Sequence, residues 1–377
     1  MVYLDNSATT GFKPKSVKLA VNEALTYFNV NPGRSGYDAS IKCADMIFSV
    51  REKLKDFFNA DAPENVVFTP GCTYSLNYII KGILKKEDHC IVSDMEHNAV
   101  MRPLHKTGCS FDTAKIDLFD SLKTVNNFEK LIRPETKLII CTAASNVFGT
   151  MPPIDKIGEL CKKHNILFAV DAAQAAGVYP INMERENIDF LCIAGHKGLY
   201  APSGIGVLIA RGRIEDTTIE GGTGTFSEMI EQPEIMPEMF ESGTLNIPGI
   251  MGLGAGLDFV KKMGIEKIYG HEMKLIKKVN RELSDNEKVI LYAEPSGTVN
   301  YCPVLSFNIV GKLSGETEGI LNANNIAVRS GLHCAPFAHR KMNTLDTGTV
   351  RISPCAFTKE NDIDYFLNVI QKTIKKI

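Results

Sequence analysis

One lysine stands where lysines are uncommon. In Ile193-Ala194-Gly195-His196-Lys197-Gly198, two glycines bracket the pair His196-Lys197. An apolar run, Phe190-Leu191-Cys192-Ile193, leads into the pair, and a second, Val207-Leu208-Ile209, follows Pro202, Gly204 and Gly206. A tight turn between two buried strands would hold the Lys197 ammonium in the interior. Desolvation there lowers an amine's pKa and suits it to Schiff-base chemistry; a solvated loop lysine is the plainer alternative. What decides is the company Lys197 keeps. Gly71-Cys72-Thr73 follows Val66-Val67-Phe68, and free N–H groups with a hydroxyl at a helix start make either an anion site or an ordinary capped helix. His97, in Glu96-His97-Asn98, follows Ile91-Val92-Ser93 and reads as an acid/base group, a stacking partner or a structural histidine. Asn146, in Ser145-Asn146-Val147-Phe148-Gly149 after Leu138-Ile139-Ile140, orients a ligand or only builds its turn. Asp171 ends an apolar strand in Val170-Asp171-Ala172-Ala173-Gln174, where a carboxylate is costly without a partner. A pyridinium nitrogen is such a partner; capping the next element is the alternative. A phosphate cradle, a histidine, an asparagine, an Asp/Gln pair and a lysine, each after a different strand, are what a pyridoxal 5'-phosphate (PLP) site on an α/β sheet requires.

A second chemical centre lies far along the chain, in Arg329-Ser330-Gly331-Leu332-His333-Cys334-Ala335-Pro336. Gly331 and Pro336 bracket a polar loop, and His333 and Arg329 are both placed to favour a Cys334 thiolate. Arg351, beyond a short strand, is suited to clamp a substrate carboxylate through two hydrogen bonds. An incidental cysteine and a surface ion pair are the plain alternatives. Gly252-Leu253-Gly254-Ala255-Gly256 hints at a dinucleotide-binding loop, but it follows Pro248-Gly249 rather than a strand, and Leu257 falls outside the G-x-G-x-x-G spacing. It reads as small residues in a packed helix.

These residues need elements to hold them. Residues 1–13 read as an irregular arm. Pro14 opens a helix with Val17, Val21, Ala24, Leu25 and Phe28 on one face. The breaker cluster Asn31-Pro32-Gly33-Arg34-Ser35-Gly36 precedes a long helix from about Tyr37 to Phe58 carrying Ile41, Ala44, Phe48, Val50 and Leu54. From Asn65, short apolar runs alternate with amphipathic stretches such as Ile154 to His164, which predicts α/β architecture with a largely parallel sheet. Ligands of such sheets bind at the strands' C-terminal ends. Past Gly243 the pattern changes to helices near 248–263 and 266–284, a strand over Val304-Leu305-Ser306-Phe307-Asn308-Ile309, short strands and a final helix from Asn361. The expected division is a large domain over 14–247 and a smaller α+β domain formed by 1–13 and 248–377, which carries the cysteine loop.

The bulk properties bound the partners. The 377 residues are 44% hydrophobic with a net charge of -2, so neither a nucleic-acid surface nor a polybasic membrane patch is expected. No apolar run approaches the ~20 residues of a membrane span. The start lacks a signal-peptide pattern, so a cytoplasmic location is expected. Ten cysteines occur with no C-x-x-C pair, which argues against a zinc or thioredoxin-type site; no metal site is expected. Most should be free thiols, and buried ones such as Cys141 and Cys192 act as small apolar residues.

In this order the motifs resemble those of class V, fold-type I PLP-dependent enzymes, and within them the cysteine desulfurases. The likeness runs over nearly the whole chain: Tyr3-Leu4-Asp5-Asn6-Ser7-Ala8-Thr9-Thr10, Gly71-Cys72-Thr73, Glu96-His97-Asn98, Ser145-Asn146-Val147, Asp171-Ala172-Ala173-Gln174, Gly195-His196-Lys197 and Glu241-Ser242-Gly243-Thr244. Arg329-x-Gly331-x-His333-Cys334-Ala335 resembles the short-loop, group II branch. The resemblance implies a PLP-dependent cysteine desulfurase that takes sulfur from L-cysteine, giving L-alanine and a persulfide on Cys334. It implies that Lys197 binds the cofactor covalently, Asp171 pairs with its ring nitrogen, Gln174 meets its ring hydroxyl and His97 stacks on it. Gly71, Cys72, Thr73 and His196 belong to the implied cofactor site. Gly222 and Thr244 would reach the phosphate of a second subunit, so a homodimer is implied. Asn146, Arg351 and Arg329 would hold substrate, and a sulfur-acceptor protein would take the product. The sequence departs from the family pattern at Cys72, where alanine is usual, at Ala194, where group II enzymes often have serine, and at Tyr37, where histidine is common. A selenocysteine lyase or a cystine or cysteine C–S lyase of the same family is the alternative activity. A further alternative is a docking subunit or sensor on the same fold; the intact Lys197 and Asp171 speak against it.

Overall fold

A computed structural model describes residues 1–32, 35–292 and 300–376; Gly33 and Arg34 of the expected breaker cluster lie outside the described residues. In chain order the elements are β1 (Val2–Tyr3), α1 (Lys15–Tyr27), α2 (Asp38–Phe58), β2 (Val66–Thr69), α3 (Cys72–Ile83), β3 (His89–Ser93), α4 (Asn98–Thr107) and β4 (Ser110–Ala114). Next come α5 (Ser121–Glu129), β5 (Thr136–Thr142), α6 (Ile154–His164), β6 (Leu167–Asp171), β7 (Phe190–Ala194) and β8 (Gly206–Ala210). The remainder comprises α7 (Ile247–Met263), α8 (Ile265–Ser284), β9 (Val289–Leu291), β10 (Leu305–Ile309), α9 (Ser314–Ala323), β11 (Ile326–Ala327), β12 (Arg329–Gly331), α10 (Pro336–Lys341), β13 (Thr349–Ile352) and α11 (Glu360–Ile374).

Seven strands form the main sheet in the order β2-β8-β7-β6-β5-β3-β4. β7, β6, β5, β3 and β4 pair in parallel, while β8 runs against both β7 and β2. β2 therefore points the same way as the parallel strands, and the turns after β2, β3, β5, β6 and β7 all leave one edge. The central strands are buried on both faces, which explains their unbroken apolar runs. β4 shows no such run: it is an edge strand of Ser110, Phe111, Asp112, Thr113 and Ala114, with only Ala114 buried.

A four-stranded antiparallel sheet, β12-β13-β10-β9, forms a second layer with α8, α9 and α11 around its own core. β1 pairs in parallel with β11, tying the N-terminal arm to this part of the chain. α7 packs on α1 and α2, and its apolar residues belong to the core of the main sheet. The glycines of 252–256 serve this packing. A Cβ on Gly254 would stand 2.7 Å from Val50 Cγ2, and one on Gly256 would stand 2.0 Å from the Leu199 carbonyl oxygen. Among the described residues no helix is long and apolar enough to cross a membrane.

Candidate active site

β7 ends at Ala194, and the chain then turns back on itself through His196 and Lys197. The turn is pressed against its neighbours: a Cβ on Gly198 would lie 2.4 Å from the Ala176 carbonyl oxygen. The N-terminal arm clasps it from the other side. The His196 carbonyl accepts from Thr10 N at 3.2 Å, Thr10 Oγ1 at 3.0 Å and Lys13 Nζ at 2.9 Å. Lys197 so held lines a cleft of about 150 Å³ together with Gly71, Cys72, Thr73, His97, Asn146, Asp171, Gln174 and His196. Nine of the eleven residues expected at the cofactor thus meet in one space. They come from the turns after five strands, as the parallel arrangement requires.

Each neighbour is fixed by identifiable contacts. Asp171, at the last position of β6, is buried, and its Oδ1 accepts from Ala173 N at 2.9 Å and Cys72 Sγ at 3.4 Å. Cys72, the departure from the family's usual alanine, therefore makes a contact to the key carboxylate that alanine cannot make. His97 is both the cap of α4 and a wall of the cleft: its Nδ1 accepts from Ala99 N at 3.0 Å, which leaves the proton on Nε2. Gln174 Nε2 donates to the Ser7 carbonyl at 3.1 Å. Burial pushes the Lys197 amine below its ordinary range, and Asp171 opposes that shift. Burial and the nearby Lys197 hold His196 down at about 4.

PLP combines an aldehyde, a ring nitrogen, a ring hydroxyl and a phosphate dianion, and the residues present fit it. The cleft offers a desolvated amine and a buried carboxylate. It is also lined by the start of α3 and by His196, whose Nδ1 is buried without a partner among the described residues. Gly222 and Thr244 are not brought to this cleft; both are exposed, on the segment between β8 and α7.

Of the ten cysteines, nine are buried and only Cys334 is exposed. It lies on the loop between β12 and α10, where His333 and Cys334 both adopt left-handed backbone conformations, with φ of 49° and 57°. Consecutive side-chain-bearing residues rarely do so, and the surroundings must hold them there. Asn98 N donates to the Cys334 carbonyl at 2.7 Å, and Asn146 Nδ2 donates to the His333 carbonyl at 2.8 Å. Arg329 Nη2 reaches Cys334 Sγ at 3.9 Å. His333 does not serve the thiol. It is buried, with Nε2 3.3 Å from the Arg329 carbonyl and Nδ1 3.4 Å from His339 Nε2.

Cys334 shares a groove with Thr73, His97, Asn98 and Ala99, three of which (Thr73, His97 and Ala99) also line the Lys197 cleft. The amine and the thiol, expected to work together although 137 positions apart, therefore open onto a common wall. Arg351 stands behind Asn146, outside that lining. Its Nη1 donates to the Asn146 carbonyl at 2.9 Å and its Nη2 to Asp5 Oδ1 at 2.5 Å, while Nε is buried without a partner among the described residues. Arg329 is the residue directly opposite Arg351 on the paired strands β12 and β13. Like charges so placed repel, and Asp5 offsets them only in part. Asp5 and His339 had no role assigned from sequence. Asp5 lay in the quoted arm motif but partners a residue 346 positions away; His339 sits on an unremarkable short helix.

An aminotransferase class-V family model matches residues 2–366. The chain is 31% identical to a probable cysteine desulfurase of Borreliella burgdorferi, over all of this chain and 92% of that protein. It is 33% identical to one of Methanothermobacter thermautotrophicus, over 93% of this chain and 89% of the relative. The apo structure of a cysteine desulfurase from Thermococcus onnurineus NA1 superposes with a TM-score of 0.91 at 31% identity, covering all of this chain and 95% of the other. With this likeness over the full length, and with the lysine, carboxylate and helix start gathered in one cleft, the chain belongs to the aminotransferase class-V family of PLP-dependent enzymes.

Proposed function

We propose that this protein is a cysteine desulfurase, taking sulfur from L-cysteine to leave L-alanine and a persulfide on Cys334. One observation carries the reading: the exposed cysteine shares three lining residues, Thr73, His97 and Ala99, with the Lys197 cleft. PLP supplies an aldehyde for capture by an amine and a ring that takes up the electrons released at the substrate Cα. The rest falls to the chain. Lys197 would hold the cofactor covalently and, when free, would remove the proton from the substrate Cα; desolvation favours its neutral form for that role. Asp171 would pair with the ring nitrogen, Gln174 would meet the ring hydroxyl and His97 would cover the ring face. Thr73 and His196 would hold the phosphate, and Gly71 and Cys72 would complete the cofactor site.

Asn146 lines the cleft and would meet the substrate carboxylate directly, while Arg351, held behind it by Asp5 and the Asn146 carbonyl, and Arg329, beside Cys334, would attract that carboxylate from outside the lining. The Cys334 thiolate then attacks the substrate sulfur. The carbon–sulfur bond breaks, the new sulfur–sulfur bond forms on Cys334, and the carbon skeleton departs as alanine after protonation.

A homodimer completes the site in this reading, with Gly222 and Thr244 contributed to the neighbouring subunit. A separate protein collects the persulfide sulfur. The test is mass spectrometry of the purified protein after incubation with L-cysteine. The wild type gains about one sulfur mass on the peptide containing Cys334. Cys334→Ala keeps the absorbance of bound PLP and gains none. Undiminished alanine and sulfide release by Cys334→Ala would remove this mechanism.

A further inference from the structure

Cys334 lies at one end of an electropositive groove that extends well past the substrate cleft. The groove, of about 360 Å³, runs between α3 and α4. Its walls follow helix spacing: Thr73, Asn77 and Lys81 at successive i+4 positions on α3, and Asn98, Arg102 and Lys106 likewise on α4. The two helices pack together and leave the same sheet edge, so they run side by side in one direction. Both N-termini, with their partial positive charge, lie at the Cys334 end. Lys81, Arg102 and Lys106 carry full positive charge farther along, and all three are exposed. Among the described residues, no Asp or Glu lines the groove. Eight helical residues span about 12 Å, far more than one amino-acid substrate occupies. Lysines in a last helical turn also suit the helix dipole, but that role does not require two rows converging on one cleft with a thiol at its head.

We propose that this groove receives an extended acidic segment of the sulfur-acceptor protein, whose own thiol is thereby brought to Cys334. The inference rests on the desulfurase reading for its chemistry. The acceptor thiolate attacks the outer sulfur of the Cys334 persulfide. The bond from that sulfur to Cys334 breaks, and its electron pair leaves on Sγ as a thiolate. The acceptor carries away the persulfide, and the proton from its thiol passes to solvent. No external oxidant or reductant enters.

Two synthetic peptides serve as probes, each with one cysteine followed by a run of glutamates or by a run of glutamines. Binding is followed by fluorescence anisotropy on the PLP-loaded protein, using versions with serine in place of cysteine. Transfer is followed by mass spectrometry after the protein is charged with L-cysteine. The glutamate peptide is expected to bind and to accept sulfur about five- to tenfold better than the glutamine peptide at low salt, with the ratio shrinking as salt rises. In the double variant K81Q/K106Q the ratio should fall to within about twofold. A ratio near one in the wild type, or an undiminished ratio in the variant, overturns the proposal. If no persulfide forms, the desulfurase reading fails, while the anisotropy ratio still decides whether the groove selects acidic chains.

Discussion

At the scale of single residues, the loop that carries Cys334 is braced by a neighbouring side chain, His333, that makes no hydrogen bond to the thiol. Because a carbonyl can only accept, the contact of His333 Nε2 with the Arg329 carbonyl puts the proton on Nε2. His333 Nδ1 is then an acceptor, so His339 Nε2 must donate to it, and His339 Nδ1 takes a hydrogen bond from Thr344 Oγ1 at 2.8 Å. The ring planes are within 9° and the centroids 5.7 Å apart. That is about the greatest separation compatible with nitrogens 3.4 Å apart, so the rings meet end to end rather than face to face. Both imidazoles must be neutral for this relay, and burial holds them so: His339 lies at about 4 against an ordinary 6.5, and His333 lower still. Between those pH values the unfolded chain binds protons that the folded chain refuses. Stability therefore falls as pH drops from about 6.5 toward 4, by about 1.4 kcal/mol per pH unit for each such proton. His339→Phe strands His333 Nδ1, while Thr344 Oγ1 keeps the backbone carbonyl of residue 339 as an acceptor, and should cost about 1–3 kcal/mol at neutral pH. It should also flatten the acid slope by the share of one histidine and change the alkylation rate of Cys334. Urea titrations at several pH values check this; an unchanged slope would show that the relay does not hold the fold.

At the scale of elements, the N-terminal arm unites two parts of the chain that are distant in sequence. β1 joins β11, Thr10 and Lys13 hold the Lys197 turn, and Asp5 neutralises Arg351 on β13. Arg351 is almost wholly buried, and removing its carboxylate partner leaves a charge with little solvation. Asp5 is itself partly solvated, so Asp5→Ala should destabilise by about 2–3 kcal/mol rather than more. It should also raise the KM for cysteine more than it lowers kcat, because it disturbs the expected carboxylate clamp. Asp5→Asn, which keeps an oxygen acceptor, should cost less on both counts; denaturant midpoints and steady-state kinetics read the difference. This tie also marks where legibility ended. Helix boundaries near Tyr37, Ile154 and Pro248 were readable to within a residue, because they rest on local breakers and periodicity. So were the strand-end residues of the cleft, since a polar side chain after an apolar run is a local signal. Asp5–Arg351 was not, because it depends on which distant strands become neighbours; the His97 cap and the His333–His339 contact span only two and six positions, but histidine is not among the usual capping residues and no periodicity marks the pair. Edge strand β4 escaped for the opposite reason: its half-exposed, polar residues form no apolar run.

At the scale of the whole molecule, the surface left uncovered is informative. The sequence reading put Ile41, Ala44, Phe48, Val50 and Leu54 on one helix, and α2 divides them between two faces. Val50 and Leu54 join Cys43, Ile47 and Phe58 in the core. Tyr37, Ile41 and Phe48 are 49%, 48% and 42% exposed, and with Ala44 they follow i, i+4, i+7, i+11 along one outward stripe. Across a cleft of about 440 Å³ from Phe48 lie Thr223, Thr225 and Ile235, in the segment that also carries exposed Phe226, Met229 and Ile230. An apolar stripe beside an apolar loop is the surface expected to be covered by another chain. The same segment holds Gly222, and Thr244 follows shortly after it; these are the two expected cofactor residues that their own cleft does not use. Both facts have one explanation if a second copy seats here and receives those residues. The double variant I41E/F48E places two carboxylates on the stripe without touching the Lys197 cleft. It should shift the protein from dimer toward monomer in sedimentation and weaken PLP retention by about tenfold or more, because each cleft would then lack its neighbour's contribution. A wild-type monomer, or a variant that remains dimeric and keeps its PLP, would show that the stripe faces something else.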